Sequence, residues 1–154
     1  MNIQISPTPA KGVFINNRWR PSASGKTIPV VAPADGQAFA SIAAGDARDV
    51  DAAVKAARAA AEGGPWSRLS ATERGRLLSK FAIAIADHAE ELALLEARDT
   101  GKPLKQARND MIASARYFEY YGGAADKLHG DTIPFLPGYF VTTEHVPYLS
   151  LIHI

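Results

Sequence analysis

Lys102 and Asp126 are the side chains whose type and setting first invite a chemical reading. Lys102 stands in Asp99-Thr100-Gly101-Lys102-Pro103, and Asp126 closes Tyr120-Tyr121-Gly122-Gly123-Ala124-Ala125-Asp126-Lys127. A lysine beside a glycine can meet a phosphate, but no glycine-rich cradle precedes Lys102. Stabilising the last carbonyls of a helix is the better reading for it. Nothing else in the sequence supports catalysis by either residue. Glu90, Glu91 and Glu96 have the type of paired acids that move protons, yet carboxylates on helices are mostly solvated, and they are assigned no chemistry. His88, His129, His145 and His153 lie at unrelated spacings and read as surface or hydrogen-bonded side chains rather than metal ligands.

The absences exclude more. With no cysteine the chain has no thiol nucleophile, no thiolate metal site and no disulfide. It contains no Gly-x-Gly-x-x-Gly opening a helix, no Walker loop, no His-Glu-x-x-His and no serine in a nucleophile elbow. Lys+Arg of 17 against Asp+Glu of 16 leaves +1 and no basic block, so nucleic acid is not an expected partner. No stretch is long and apolar enough to span a bilayer, and residues 1–7 lack a secretory n-region and h-region; a cytoplasmic protein without membrane association is expected. With 154 residues, 47% of them hydrophobic and 21% charged, the chain has ordinary globular usage. A domain of this size can bury about two-thirds of its unfolded surface, so a core is expected.

The elements that must position these residues are legible in turn. Residues 1–11 read as a loose leader. Val13-Phe14-Ile15 and Arg18-Trp19-Arg20 flank Asn16-Asn17, a pair that tolerates positive φ, which predicts a hairpin. Thr27-Ile28-Pro29-Val30-Val31 reads as a strand whose proline argues for an edge, and Asp35-Gly36 turns into a second strand over 37–42. From Asp46, an N-cap, the period becomes helical, with Val50, Val54, Ala57 and Ala61 on the buried stripe and Asp49, Lys55 and Arg58 off it. Gly63-Gly64-Pro65 ends that helix, and Trp66 is expected to plug the gap to the next.

Ser70-Ala71-Thr72-Glu73 is a capping box, followed by an expected inner face of Leu77, Leu78, Phe81 and Ile85, and by a helical stretch with His88, Leu92 and Leu95. Gly101 stops that stretch and Pro103 starts a long helix over 104–128, buried through Met111, Ala115, Phe118 and Tyr121. Gly122-Gly123 costs helix propensity, about 1 kcal/mol per glycine, which calls for a close approach at that backbone; packing is the first explanation and a ligand wall the second. Residues 131–134 are extended, and 138–146 alternate as a strand that needs a partner from another chain or from a missing part of this one. Residues 149–154 are nearly all apolar.

Taken together, several segments resemble the N-terminal part of an aldehyde dehydrogenase. They are Phe14-Ile15-Asn16-Asn17-Arg18-Trp19, Ala32-Pro33-Ala34-Asp35-Gly36, residues 50–61, Pro65-Trp66, Arg74-Gly75-Arg76-Leu77-Leu78, residues 96–103 and residues 120–127, in matching order and spacing over 13–148. The resemblance implies an α/β fold with a Rossmann-like NAD(P)-binding domain, a catalytic domain and a β-arm for oligomerisation. This chain would supply a short hairpin and strands, a helical layer, a long helix and the start of the arm. Its parts would then be a leader over 1–11, the opening of the NAD(P)-binding domain over 12–130, the arm over 131–148 and an atypical tail over 149–154.

In that family a cysteine thiolate attacks the aldehyde, hydride passes to nicotinamide, and a glutamate-activated water releases the acid. An asparagine and a backbone N–H stabilise the oxyanion. None of these groups falls within this chain, so no catalytic or cofactor-binding residue is assigned, and binding of NAD or NADP by this chain alone is not expected. The resemblance also implies a monovalent cation site through carbonyls of Val30 and Val31 and the carboxylate of Asp99, with a further ligand beyond residue 154. Fastening the turn at Gly101 is an equal alternative for Asp99. The long helix resembles a wall of the family's substrate tunnel, with no single lining residue assigned.

After Tyr148 the chain departs from the family pattern, which suggests a truncated or misjoined reading frame. The expected function is thus the opening part of an enzyme that oxidises an aldehyde to a carboxylate, inactive alone and homo-oligomeric through its arm. The alternative is a short non-catalytic protein that pairs through its C-terminal strand with a full-length relative.

Overall fold

The computed structural model describes residues 12–146, so the expected leader over 1–11 and the apolar tail over 149–154 lie outside the described residues. β1 (Val13–Ile15) and β2 (Arg18–Arg20) form the expected antiparallel hairpin, with Phe14 opposite Trp19. Asn16 and Asn17 both take positive φ, 52° and 60°, the backbone that a two-residue turn between right-twisted strands requires. β3 (Thr27–Val31) pairs antiparallel with β4 (Ala38–Ala43), which begins one residue later than expected. Pro29 lies opposite Ser41 in this two-stranded sheet, where each strand keeps one open edge for a residue lacking an N–H.

α1 (Ala47–Gly63) starts at the N-cap Asp46, whose carboxylate accepts from the Arg48 N–H at 2.9 Å. Asp49 corrects the sequence reading. Expected off the inner stripe, it is 4% exposed, and it accepts from the Asp46 N–H at 3.1 Å and from the Ala23 N–H at 3.0 and 3.2 Å. Arg20 stands 3.7 Å away. A single buried carboxylate thereby ties the helix start to the chain leaving the first hairpin, with its charge met by backbone donors and a guanidinium. Val50, expected inside, is half exposed, and Trp66 on the four-residue α2 (Pro65–Arg68) is 45% exposed and plugs no gap.

α3 (Ala71–Asp87) opens with the expected capping box: Ser70 Oγ accepts from the Glu73 N–H, and Glu73 accepts from the Ser70 N–H at 2.7 Å. Such a cap contributes about 1 kcal/mol. α4 (Ala89–Thr100) ends at Gly101 with φ 74°, the left-handed backbone that favours glycine. α5 (Leu104–Ala124) follows Pro103 and stops four residues short of the expected end, with Tyr121 exposed rather than buried.

α3 and α5 meet through their smallest residues. A Cβ on Gly75 would collide with the Gly122 carbonyl oxygen, and one on Gly122 would stand 2.9 Å from the Gly75 carbonyl oxygen and from Ser79 Oγ. Two backbones at that distance leave no space for larger side chains, so the inner face of α3 is Gly75, Ser79 and Ala82, not the expected Leu77 and Phe81. Those two lie to one side, where Phe81 and Phe118 pack edge to face with ring centroids 4.7 Å apart while half of Phe81 stays open. Among the described residues the buried hydrophobic side chains are Ala32, Ala82, Ala93 and Ala107 alone, and no large side chain is fully buried. The expected core is therefore incomplete within this chain.

The arm also differs. In place of a strand over 138–146 there is β6 (Val141–Thr142), two residues long, paired antiparallel with β5 (Thr132–Ile133) of the same chain. The partner expected from elsewhere is local, because the turn over the intervening residues folds the arm back on itself. Substituting Gly75→Ala is expected to lower stability by about 1–3 kcal/mol, the cost of overpacking a tight contact. Gly123→Ala, where a Cβ meets no atom within 4 Å, is expected to raise it by up to about 1 kcal/mol. Urea unfolding of the two variants beside the parent chain reads both signs; equal effects at the two positions would remove the backbone contact as the explanation.

Candidate functional site

The turn joining α4 to α5 carries most of the residues with chemical interest. Thr100 Oγ1 donates to the Glu96 carbonyl oxygen at 2.7 Å, and the Gly101 N–H reaches the Ala97 carbonyl at 3.0 Å. Lys102 N–H donates to Thr100 Oγ1 at 3.4 Å. Thr100 thus fastens the turn, the alternative role the sequence left for Asp99. Asp99 is exposed and has no described hydrogen bond or ion pair. The signal for Thr100 was available, since a threonine hydroxyl in a last helical turn can bond back to the carbonyl four residues earlier.

Lys102 does not cap the α4 carbonyls as expected. Its Nζ donates to Glu96 Oε1 at 2.6 Å and to Asp110 Oδ2 at 2.7 Å, clamping the end of α4 to the second turn of α5. These bonds, Asp110 first and Glu96 second, hold its pKa above the ordinary 10.5. Glu96 corrects the solvated reading: it is half-buried, and its Oε2 is buried without a described partner. Glu90 is likewise engaged, accepting from Arg108 Nε at 2.8 Å and Nη2 at 2.6 Å, a two-point bond that lowers its pKa. Glu91 is exposed, as expected.

The cation candidates sit near this turn without being joined to it by described bonds. The register of β3 against β4 shifts between Val30 and Val31, where Val30 faces Ala40 and Val31 faces Ala38. A bulge of this kind disrupts the ladder locally and re-aims backbone groups. Pro33, two residues on, lies against Gly101, where a Cβ on the glycine would stand 3.2 Å from its side chain. Arg98 lies over the Phe39 ring at 4.4 Å from the centroid. These contacts bring the end of the β3–β4 hairpin beside the α4 terminus that carries Asp99. Backbone carbonyl oxygens and a carboxylate are hard oxygen donors of the kind that such a cation takes. Among the described residues no three His, Asp or Glu side chains gather as a metal cluster.

The remaining candidates are held in local bonds or lie exposed. Asp126 accepts from Lys127 Nζ at 2.5 Å and from Thr72 Oγ1 at 3.3 Å, bonds that lower its pKa and join the ends of α5 and α3. His88 Nδ1 is 3.0 Å from the Ala84 carbonyl oxygen, a helix-end bond. His129 and His145 are exposed, and His153 lies outside the described residues. Among the described residues all strands pair antiparallel in twos, and none leads through a glycine-rich turn into a helix N-terminus.

The raised pKa of Lys102 carries a pH dependence. A lysine whose folded value exceeds its unfolded value contributes stability in full below the unfolded value and loses it as pH rises through the folded one. Lys102→Met is therefore expected to destabilise the chain at neutral pH, with the difference from the parent shrinking above 10.5. Urea midpoints across that range read it; a difference that stays constant with pH would leave the clamp without an electrostatic part.

Known proteins share this arrangement. A sequence model of the aldehyde dehydrogenase family matches residues 19–152. The Arabidopsis thaliana protein "Aldehyde dehydrogenase family 2 member B4, mitochondrial" is 48% identical over 147 residues, which are 95% of this chain and 27% of that protein. Human "Aldehyde dehydrogenase, mitochondrial" is 45% identical over 137 residues, 88% of this chain and 26% of its own length. Among solved structures, the NAD+ complex of an aldehyde dehydrogenase from Bacillus cereus superposes with a TM-score of 0.83 at 40% identity, covering 90% of this chain and 28% of that one. The chain spans about 27% of the length of the curated relatives it matches. With a family match over most of its length and close superposition on a solved member, this chain belongs to the aldehyde dehydrogenase family.

Proposed function

We propose that this chain is the opening part of an NAD(P)-dependent enzyme that oxidises an aldehyde to the carboxylate, and that alone it is inactive. One observation carries the reading: a chain matching the family over 19–152 leaves its large apolar side chains open, Phe81 at 52%, Ile83 and Ile112 at 62% and Phe140 at 82% among them. Apolar area of this extent, on helices already packed against each other and on the segment before β6, is a surface awaiting more polypeptide. When bound in the whole enzyme, the nicotinamide accepts hydride from the substrate. The chain contains no cysteine to attack the aldehyde. What this chain contributes is scaffold: the α3–α5 pair, the clamped α4–α5 turn and the arm.

The β5–β6 arm supports oligomerisation. Phe135, Leu136, Tyr139 and Phe140 are each more than half exposed on it, and β6 has one open edge. The same arm is what favours the second reading, a non-catalytic chain that pairs with a full-length relative. A cation held by the Val30 and Val31 carbonyls and Asp99 is also part of the proposal, supported by the bulge and by the packing of Pro33 on Gly101. The cytoplasmic location expected from the sequence is likewise a proposal, set against relatives whose names place them in mitochondria.

The test is a hybrid in which this chain replaces the matching opening segment of the Bacillus cereus aldehyde dehydrogenase. Alone, the chain is expected to give no NAD+ reduction with a panel of aldehydes, and the hybrid is expected to give aldehyde-dependent reduction. Turnover by the chain alone would overturn the first claim; a folded hybrid without turnover would favour the interaction protein. In the same hybrid, Asp99→Asn is expected to abolish any gain in thermal stability that potassium gives over a bulky organic cation. A gain unchanged by the substitution would remove Asp99 from the site.

A further inference from the structure

The chain exposes 12129 Å² of surface, whereas a compact monomer of its mass exposes about 7,600 Å². Granting residues 1–11 and 147–154 the full surface of an unfolded chain, about 3,000 Å², leaves residues 12–146 about 2,200 Å² above the compact value for their mass. Ordinary complexes take about 800 Å² from each partner, and obligate ones about 1,000 to 2,500 Å². The open area is that of a subunit parted from an obligate complex.

One flank of the α3–α5 pair has the make-up of an interface centre. A groove of about 470 Å³ is lined there by Ala82, Ala86 and Ala115, which leave room for a close neighbour, and by Ile83 and Ile112, each more than half exposed. Arg116 and Glu119 also line it, 3.8 Å apart, so its polar margin carries no net charge. An apolar centre with a polar margin is how protein interfaces are built. Relatives nearly four times longer carry the matching segment in one polypeptide with all the rest. The remainder of such a polypeptide is a surface shaped against this segment, which a second copy of this chain is not.

We propose that this face binds, as a separate polypeptide, an aldehyde dehydrogenase chain that lacks its own opening segment, and that the two chains together make the enzyme. The inference rests on the reading of this chain as the opening part of such an enzyme. Areas of this size hold separate subunits together in obligate complexes, so a peptide bond between the two parts is not required. The thiol nucleophile comes with the partner, because this chain has no cysteine. This chain supplies the α3–α5 groove on which the partner's apolar surface closes.

Co-expression from two genes tests it, with an affinity tag on the 154-residue chain and the Bacillus cereus aldehyde dehydrogenase shortened by its matching opening segment. The two are expected to copurify in equal amounts and to reduce NAD+ with an aldehyde, and neither alone is expected to do so. Ile83→Asp and Ile112→Asp are each expected to abolish copurification, while Lys55→Gln, at an exposed position of α1, leaves it intact. Circular dichroism of each variant alone is expected to match the parent chain; where an aspartate unfolds it, Ile112→Ala is expected to weaken copurification instead. A covalent hybrid with turnover whose two parts do not copurify as separate chains would overturn the proposal and leave the enzyme reading standing. Copurification beside an inactive hybrid would keep the interface and remove the enzyme reading. Copurification that survives both aspartate variants, or a tagged chain that recovers only copies of itself, would also overturn the proposal.

Discussion

The contact of the Gly75 and Gly122 backbones governs the arrangement of the helices. When two helices approach until a Cβ on either would clash, the residues between them must be small, and here they are glycine, serine and alanine. The large apolar residues of α3 and α5 are displaced to the two flanks of the pair. On one flank Phe81 and Phe118 meet edge to face; on the other Ile83 and Ile112 border a groove of about 470 Å³ that also touches Ala86 and Ala115. A close helix pair of this kind holds itself by backbone proximity and leaves its hydrophobic area outward. That is why so many large side chains stay exposed in a family member that covers about a quarter of its relatives.

α4 is attached differently. Where α3 and α5 touch through small residues, α4 and α5 are joined by charge, through Lys102 on Glu96 and Asp110 and through Arg108 on Glu90. Individual ion pairs near the surface contribute little, but these bracket a turn that the Thr100 hydroxyl and the Gly101 N–H have already closed. The turn is consequently held from both sides and packed on Pro33, and its orientation relative to the β3–β4 hairpin follows. Asp49 performs the corresponding task at the other end of the sheet layer, where a buried carboxylate receives backbone N–H groups from two segments.

The arm shows the same division between local and distant forces. β5 and β6 pair within the chain over two residues each, too little to cover the aromatic side chains of the segment. Phe135 and Tyr139 pack on each other, ring centroids 5.7 Å apart, and both remain largely exposed. A ribbon so short is marginal by itself, so whatever further surface covers these rings also supports the hairpin.

The sequence by itself determined the features that depend on neighbours within four residues. The Asn16-Asn17 turn, the Ser70 capping box, the stop at Gly101 and the restart after Pro103 all follow from local backbone chemistry, and each stands as read. The absence of cysteine, and with it of a thiol nucleophile, is also a property of sequence alone, as is the family pattern. Tertiary structure decided which of two adjacent stripes on α3 meets α5, because a Gly-Ser-Ala stripe and a Leu-Phe stripe are both periodic and only close approach tells them apart. It also decided the partners of Asp49, Glu96 and Lys102, since a charged side chain's environment is set by segments distant in sequence. Periodicity reports that a face will be buried; it carries no information on whether this chain or another stretch of polypeptide does the burying.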